Sequence, residues 1–121
     1  MAATDRSTNQ TNRARGRWGE DLAAAHYRRL GYDVVDRNWR CAVGELDLVV
    51  RHGDLLVFSE VKARRSDRYG SAAAAVDYRK QRRIRGLAVE WLRAHDVSGV
   101  DLRFDVVAIT GTRLTLIESA F

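Results

Sequence analysis

Three side chains in the middle of the chain, Asp47, Glu60 and Lys62, are of the types and at the spacing that could cut a phosphate ester. In a β-strand, residues two apart point to the same side, so Glu60 and Lys62 of SEVK project from one face. Asp47 lies in the preceding apolar run, across a turn, with twelve residues intervening. If the faces agree, two carboxylates and an ammonium converge. Paired carboxylates repel each other, and a hard divalent cation with oxygen ligands, Mg²⁺ or Mn²⁺, relieves that repulsion. Such an ion neutralises phosphate, stabilises charge developing in the transition state and helps to generate hydroxide. A lysine beside it supplies a compact, mobile charge that can orient or deprotonate water. The choice of lysine is unusual here, because Lys62 and Lys80 are the only lysines among 21 basic residues. On the Glu-x-Lys triplet alone a surface ion pair is a sufficient account. Charges within strands as apolar as these, however, are rare unless something uses them.

The elements that must position these groups can be read from periodicity. GELDLVVR, residues 44–51, alternates so as to place Leu46, Leu48 and Val50 on one face and Glu45, Asp47 and Val49 on the other. His52-Gly53-Asp54 reads as a turn and Leu55 to Lys62 as the next strand, which makes a hairpin. Upstream, a helix is predicted from Arg17 to Leu30, stopped by Gly31, and a strand from Tyr32 to Arg40. Downstream, a second helix is predicted from about Val76 to His95, then strands over Leu102–Ile109 and Arg113–Glu118 around a Thr110-Gly111-Thr112 turn. The class is α/β, with a mixed central sheet of about five strands flanked by helices. Residues 1–14 read as a disordered tail and residues 15–121 as a single domain.

Composition supports one globular domain: 121 residues, 45% hydrophobic and 31% charged. Collagen, coiled coil and wholesale disorder are excluded. With no apolar run long enough to span a bilayer and no signal-peptide pattern, a cytoplasmic protein with no membrane partner is expected. The lone Cys41 rules out an internal disulfide and a cysteine-rich zinc site. The net charge of +5 is uneven, for residues 61–93 hold ten basic residues and three acidic ones. Such a segment attracts nucleic acid. Arg64 and Arg65 follow the candidate site on the same strand and read as phosphate contacts, and Lys80, Arg82 and Arg83 lie on the basic second helix. His26, His52 and His95 are scattered and suggest no metal cluster. Trp18, Trp39 and Trp91 read as core, and Arg103 with Asp105 as a structural ion pair.

The arrangement of Asp47, Glu60 and Lys62 resembles the PD-(D/E)xK nuclease superfamily, with its restriction-endonuclease-like fold. More closely, GRWGEDLAAAHYRRLGYDVVDRNWR, GELDLVV, LLVFSEVKARR, YGSAAAAVDYRKQRRI and RFDVVAI, in that order, resemble the YraN family of predicted bacterial endonucleases. The layout is similar to that of archaeal Holliday-junction resolvases. The resemblance implies Asp47 and Glu60 as metal ligands together with the backbone carbonyl of Val61, Lys62 as the water-activating base, and Glu20 as a second-site or water-mediated ligand. It further implies Mg²⁺ or Mn²⁺ as cofactor, DNA as substrate, a 5′-phosphate product, a homodimer and polar neighbours to the site at Lys80 and Gln81; the small size is expected to favour branched or damaged DNA over a long sequence as the target. Leu46 stands where the superfamily name has proline; that position shapes backbone and ligates nothing. The rival reading is a catalytically silent nucleic-acid-binding module of the same fold.

Overall fold

The computed structural model describes residues 2–64 and 76–121, with side chains from residue 14 onward. Helix α1 (Ala2–Arg29) is followed by β1 (Asp33–Cys41), β2 (Gly44–His52), β3 (Leu55–Arg64), α2 (Tyr78–Ala94), β4 (Asp101–Thr110) and β5 (Arg113–Ile117). The five strands lie side by side in chain order. Neighbours are antiparallel except β3 and β4, which run parallel and are joined through α2. This is the expected α/β class with a five-stranded mixed sheet and two helices, consistent with a restriction-endonuclease-like fold. Among the described residues, no helix is long and apolar enough to cross a membrane.

Helix α1 begins at Ala2 rather than Arg17 and so takes in the segment expected as a disordered tail. No proline or glycine interrupts Ala2–Arg15, so nothing local stops the helix from extending. Its C-terminus is set by Gly31, at φ +93°, with Gly31 N–H bonded to Arg28 O and Tyr32 N–H to Tyr27 O. Those two bonds close a Schellman cap. The accompanying contact is the edge-on packing of Tyr32 against Tyr27, centroids 5.3 Å apart.

Each face of the sheet is covered by one helix. On one side Ala23, Ala24 and Tyr27 of α1 pack on Leu48, Val50, Val57, Val107 and Ile109. On the other, Ile84, Leu87, Ala88 and Trp91 of α2 pack on Leu46, Val49, Leu56, Phe58 and Val106. Helix α1 lies close on the sheet because Gly19 permits it: a Cβ there would stand 3.0 Å from the Cβ of Ala63.

One buried polar knot ties α1 to the sheet. Asp105, fully buried, accepts two hydrogen bonds from the Arg103 guanidinium at 2.9 Å, one from the Tyr27 hydroxyl at 2.8 Å and one from Ser119 N–H. Arg103 and Asp105 are thus the structural pair the sequence suggested. The Ser59 hydroxyl lies 3.0 Å from that of Tyr27, whose pKa is raised, chiefly by burial.

Candidate active site

The β2–β3 ladder ends where the carboxylates sit, while β3 stays paired with β4 through Glu60↔Val106. Pairing between β2 and β3 runs from His52↔Leu55 to Leu48↔Ser59 and stops there, so Asp47 and Glu60 are the first residues beyond the ladder. On the other flank of β2, the register with β1 passes from Arg37↔Leu48 to Trp39↔Leu46, and the intervening Asn38 takes the left-handed conformation, φ +54°. Asparagine tolerates that region better than most residues. The strict alternation expected for β2 therefore fails. Leu46 packs under α2, while Leu48 and Val50 pack under α1, with Val49 facing α2. The two-residue period breaks at Asp47, the residue that has to leave the ladder.

Freed from strand pairing, Asp47 turns its carboxylate to β3, where the Val61 N–H donates to Oδ2 at 2.9 Å. Glu60, only 7% exposed, stands next to it, close enough for a side-chain hydrogen bond between the two carboxyl groups. Burial first, and the Glu60 charge second, push the Asp47 carboxyl up to about 7. Two acids forced together out of water carry the electrostatic strain that a divalent cation removes.

Both lysines of the chain meet at Glu60. Lys80 Nζ is 2.6 Å from Oε1 and Lys62 Nζ is 3.8 Å from the same atom. Burial, then the neighbouring Lys80 ammonium, lower the Lys62 pKa. Burial also opposes the charge on Lys80, but its bonds to Glu60 and Lys62 outweigh that and leave its pKa raised. Lys80 is brought in by the start of α2, where Asp77 caps the helix by accepting from Lys80 N–H at 2.9 Å. The sequence read Lys80 as a basic contact on the second helix and, by resemblance, as a polar neighbour of the site; the structure sets it in the cleft, on Glu60. The signal that could have located it was Asp77 three residues earlier, a helix cap that fixes the first turn.

A cleft of about 260 Å³ opens over the pair, lined by Glu45, Asp47, Glu60, Lys80, Arg83 and Leu87. Glu45 is engaged by Arg40 at 2.9 Å. Glu20 lines an adjoining cleft with Asn38, Arg40 and Glu45. Its Oε2 is buried with no hydrogen-bond partner, 3.9 Å from Arg37 Nη2. Burial raises the Glu20 pKa, and a hydrogen bond with Asn38 pulls against it. Arg37 and Asn38 are neighbours of the site that periodicity did not single out, since their approach follows from the distorted stretch of β1. Among the described residues no three of His, Cys, Asp and Glu form a metal-holding group. The carboxylates that line the cleft are Glu45, Asp47 and Glu60, and Glu20 lines the adjoining one.

Arg82 and Arg83 are exposed on α2, as expected, and Arg83 reaches the cleft. Arg64 closes β3 two residues beyond Lys62. Arg65 lies outside the described residues. Trp91 is core and Trp39 packs against it, but Trp18 is 44% exposed, contrary to expectation. Its helix turns the Ala23–Ala24–Tyr27 face to the sheet and leaves Trp18 off that stripe.

Comparison with known proteins places the chain in a family. A model of the uncharacterised protein family UPF0102 matches residues 19–109. The chain is 55% identical over 97 residues to a UPF0102 protein of Frankia casuarinae, covering 80% of this chain and 82% of that one. It is 57% identical over 98 residues to one of Rhodococcus jostii, 81% and 83% covered. It is 43% identical over 110 residues to one of Syntrophus aciditrophicus, 88% and 87% covered.

Proposed function

The chain belongs to the UPF0102 family, the YraN family its motifs resemble, and on that premise we propose that it is a metal-dependent DNA endonuclease. The observation that carries this reading is the convergence of Asp47 and Glu60 at the open end of the β2–β3 ladder, with both lysines on Glu60. The donor set suits a hard, oxygen-preferring ion. It offers two carboxylates with mutual repulsion to relieve and leaves room for waters and a phosphate, which is how Mg²⁺ and Mn²⁺ are held. In the proposal Asp47, Glu60 and the Val61 carbonyl are the ligands, and Glu20 acts through water. When bound, the ion supplies charge neutralisation at the scissile phosphate and makes a bound water more acidic.

The chain's own groups have distinct tasks. The Val61 N–H fixes the Asp47 carboxylate, so the site is preorganised rather than assembled by substrate. Lys62 holds the attacking water and faces the negative charge that builds on phosphorus. Lys80 steadies Glu60 and lends a second positive charge to the cleft. Arg64, Arg65, Arg82 and Arg83 receive the flanking phosphates. Branched or damaged DNA is the proposed target, with a homodimer placing two cuts on a symmetric junction.

The test compares the wild type with Asp47→Ala and Lys62→Ala on labelled four-way-junction, flap, single-stranded and duplex DNA, in Mg²⁺, Mn²⁺ and EDTA. Metal-dependent cutting lost in both variants supports the proposal. Junction binding without cutting by any form replaces it with the silent binding module.

A further inference from the structure

A second pocket, of about 470 Å³, lies at the end of the sheet where β3 and β4 finish, and neither the catalytic cleft nor the core accounts for it. It is lined by Arg15 and Trp18 of α1, Arg64 at the end of β3, and Gly111 and Thr112 of the β4–β5 turn. Three separate elements thus converge on one exposed indole. The turn is fixed in place, since Gly111 N–H donates to Arg64 O at 2.8 Å. The helix is fixed as well, because Gly19, next to Trp18, packs against Ala63 and Val61 of β3. A Trp on a fixed stretch of helix with nearly half its surface in water offers a flat aromatic face. Single exposed apolar side chains are common. An indole in a pocket between two guanidinium-bearing side chains is a more specific arrangement.

We propose that this pocket receives an unpaired nucleobase of the bound strand, stacked on the Trp18 ring with its flanking phosphates on Arg15 and Arg64. This inference rests on the nuclease reading above and names its substrate class: nucleic acid with at least one unpaired nucleotide beside the scissile phosphate. Charge and shape favour that occupant. The pocket is aromatic with cationic walls, which matches a base flanked by phosphates and would repel a basic partner. Position favours it too. Arg64 follows Lys62 by two residues, about 7 Å along the strand, a distance comparable to one step between phosphates on an extended strand. A base stacked inside a duplex cannot present its face to the indole, so the pocket selects for ends, flaps, gaps or flipped bases.

The experiment measures binding in EDTA, where no cutting occurs. Fluorescence anisotropy compares wild type, Trp18→Ala and Trp18→Phe on a fully paired duplex and on the same duplex carrying a short single-stranded flap. A second set carries 2-aminopurine in the flap, whose emission is quenched by stacking. Trp18→Ala is expected to lose about 5- to 150-fold in affinity for the flap, with little change on the paired duplex. Trp18→Phe retains most of the affinity, and 2-aminopurine is quenched by wild type and Trp18→Phe alone. Thermal midpoints of both variants check folding, and the Phe variant keeps the test decisive if the Ala variant is unstable. Equal binding of the flap by wild type and Trp18→Ala overturns the inference, as does an equal loss on paired and flapped DNA or a failure of wild type to bind either. If wild type binds and quenches as described but never cuts in Mg²⁺ or Mn²⁺, the nuclease reading fails and the base pocket stands. If it cuts and Trp18 makes no difference, the reverse holds.

Discussion

Replacing Asp47 with Asn removes the strained charge of the site while keeping its shape. The Asp47 carboxyl is raised from 3.8 to about 7 by burial and by Glu60. At about 1.4 kcal/mol per unit this is a ceiling of about 4 kcal/mol of destabilisation in the metal-free protein at alkaline pH. The sign follows from the direction. Below 3.8 the acid is neutral in both folded and unfolded chains and costs nothing; between 3.8 and about 7 the unfolded chain ionises first; above that the folded chain bears the whole penalty. Asn keeps an oxygen for the Val61 N–H and turns an amide N–H toward Glu60, so the variant is expected to be more stable than wild type. Part of the penalty is shared with Glu60, and even half the ceiling, about 2 kcal/mol, raises the Tm of a domain this size by several degrees. Calorimetry in EDTA should show Asp47→Asn melting above wild type at pH 8, with the gap narrowing toward pH 5. Titrated Mg²⁺ should raise the wild-type Tm and leave the variant unmoved. A variant that melts below wild type at both pH values would refute the claim that Asp47 is held under electrostatic strain.

Other expectations follow from single contacts. Lys62→Ala should cut DNA at least about 100-fold more slowly while binding it nearly as well, read by single-turnover cleavage beside anisotropy. Asp105→Ala leaves the Arg103 guanidinium and the Tyr27 hydroxyl without their buried acceptor, and urea unfolding should show a loss of about 3–5 kcal/mol. Gly19→Ala forces α1 away from Ala63, at about 1–3 kcal/mol, and cleavage should fall with it because Glu20 rides on the same turn. Arg82→Gln and Arg83→Gln should each lower the slope of log affinity against log salt by about one, without altering any preference among substrates.

The carboxylates were legible in the sequence because two simple periods, strand alternation and a turn at Gly53, bring Asp47 near Glu60. What alternation could not show is that it stops at Asp47. That break coincides with Asn38 at φ +54° on the neighbouring strand and with a ladder that ceases after Leu48↔Ser59, features that long-range pairing decides. Lys80 was assigned to the right helix, but its direct bond to Glu60 was not foreseen, since the cap at Asp77 sets which way the first turn faces. Trp18 was misread for a related reason: an aromatic residue on an amphipathic helix is usually core, and its exposure is decided by which face the sheet covers. The extent of α1 toward its N-terminus escaped notice because polar, weakly periodic residues carry little signal for either helix or tail.

The order of strands in space is also their order along the chain, and this bears on how the protein is made. As the chain leaves the ribosome, β1, β2 and β3 can zip as a meander from short-range contacts alone, before α2 exists to close the parallel β3–β4 pair. The clash between Asp47 and Glu60 falls at the unzipped mouth of that meander, past its last rung at Leu48↔Ser59. Nucleation is therefore spared the repulsion that the finished cleft retains. Lys80 comes later, on α2, so the ammonium that calms Glu60 reaches a scaffold already built. Separating the fast-forming rungs from the strained mouth lets one short hairpin serve both as the seed of the fold and as the frame of its site.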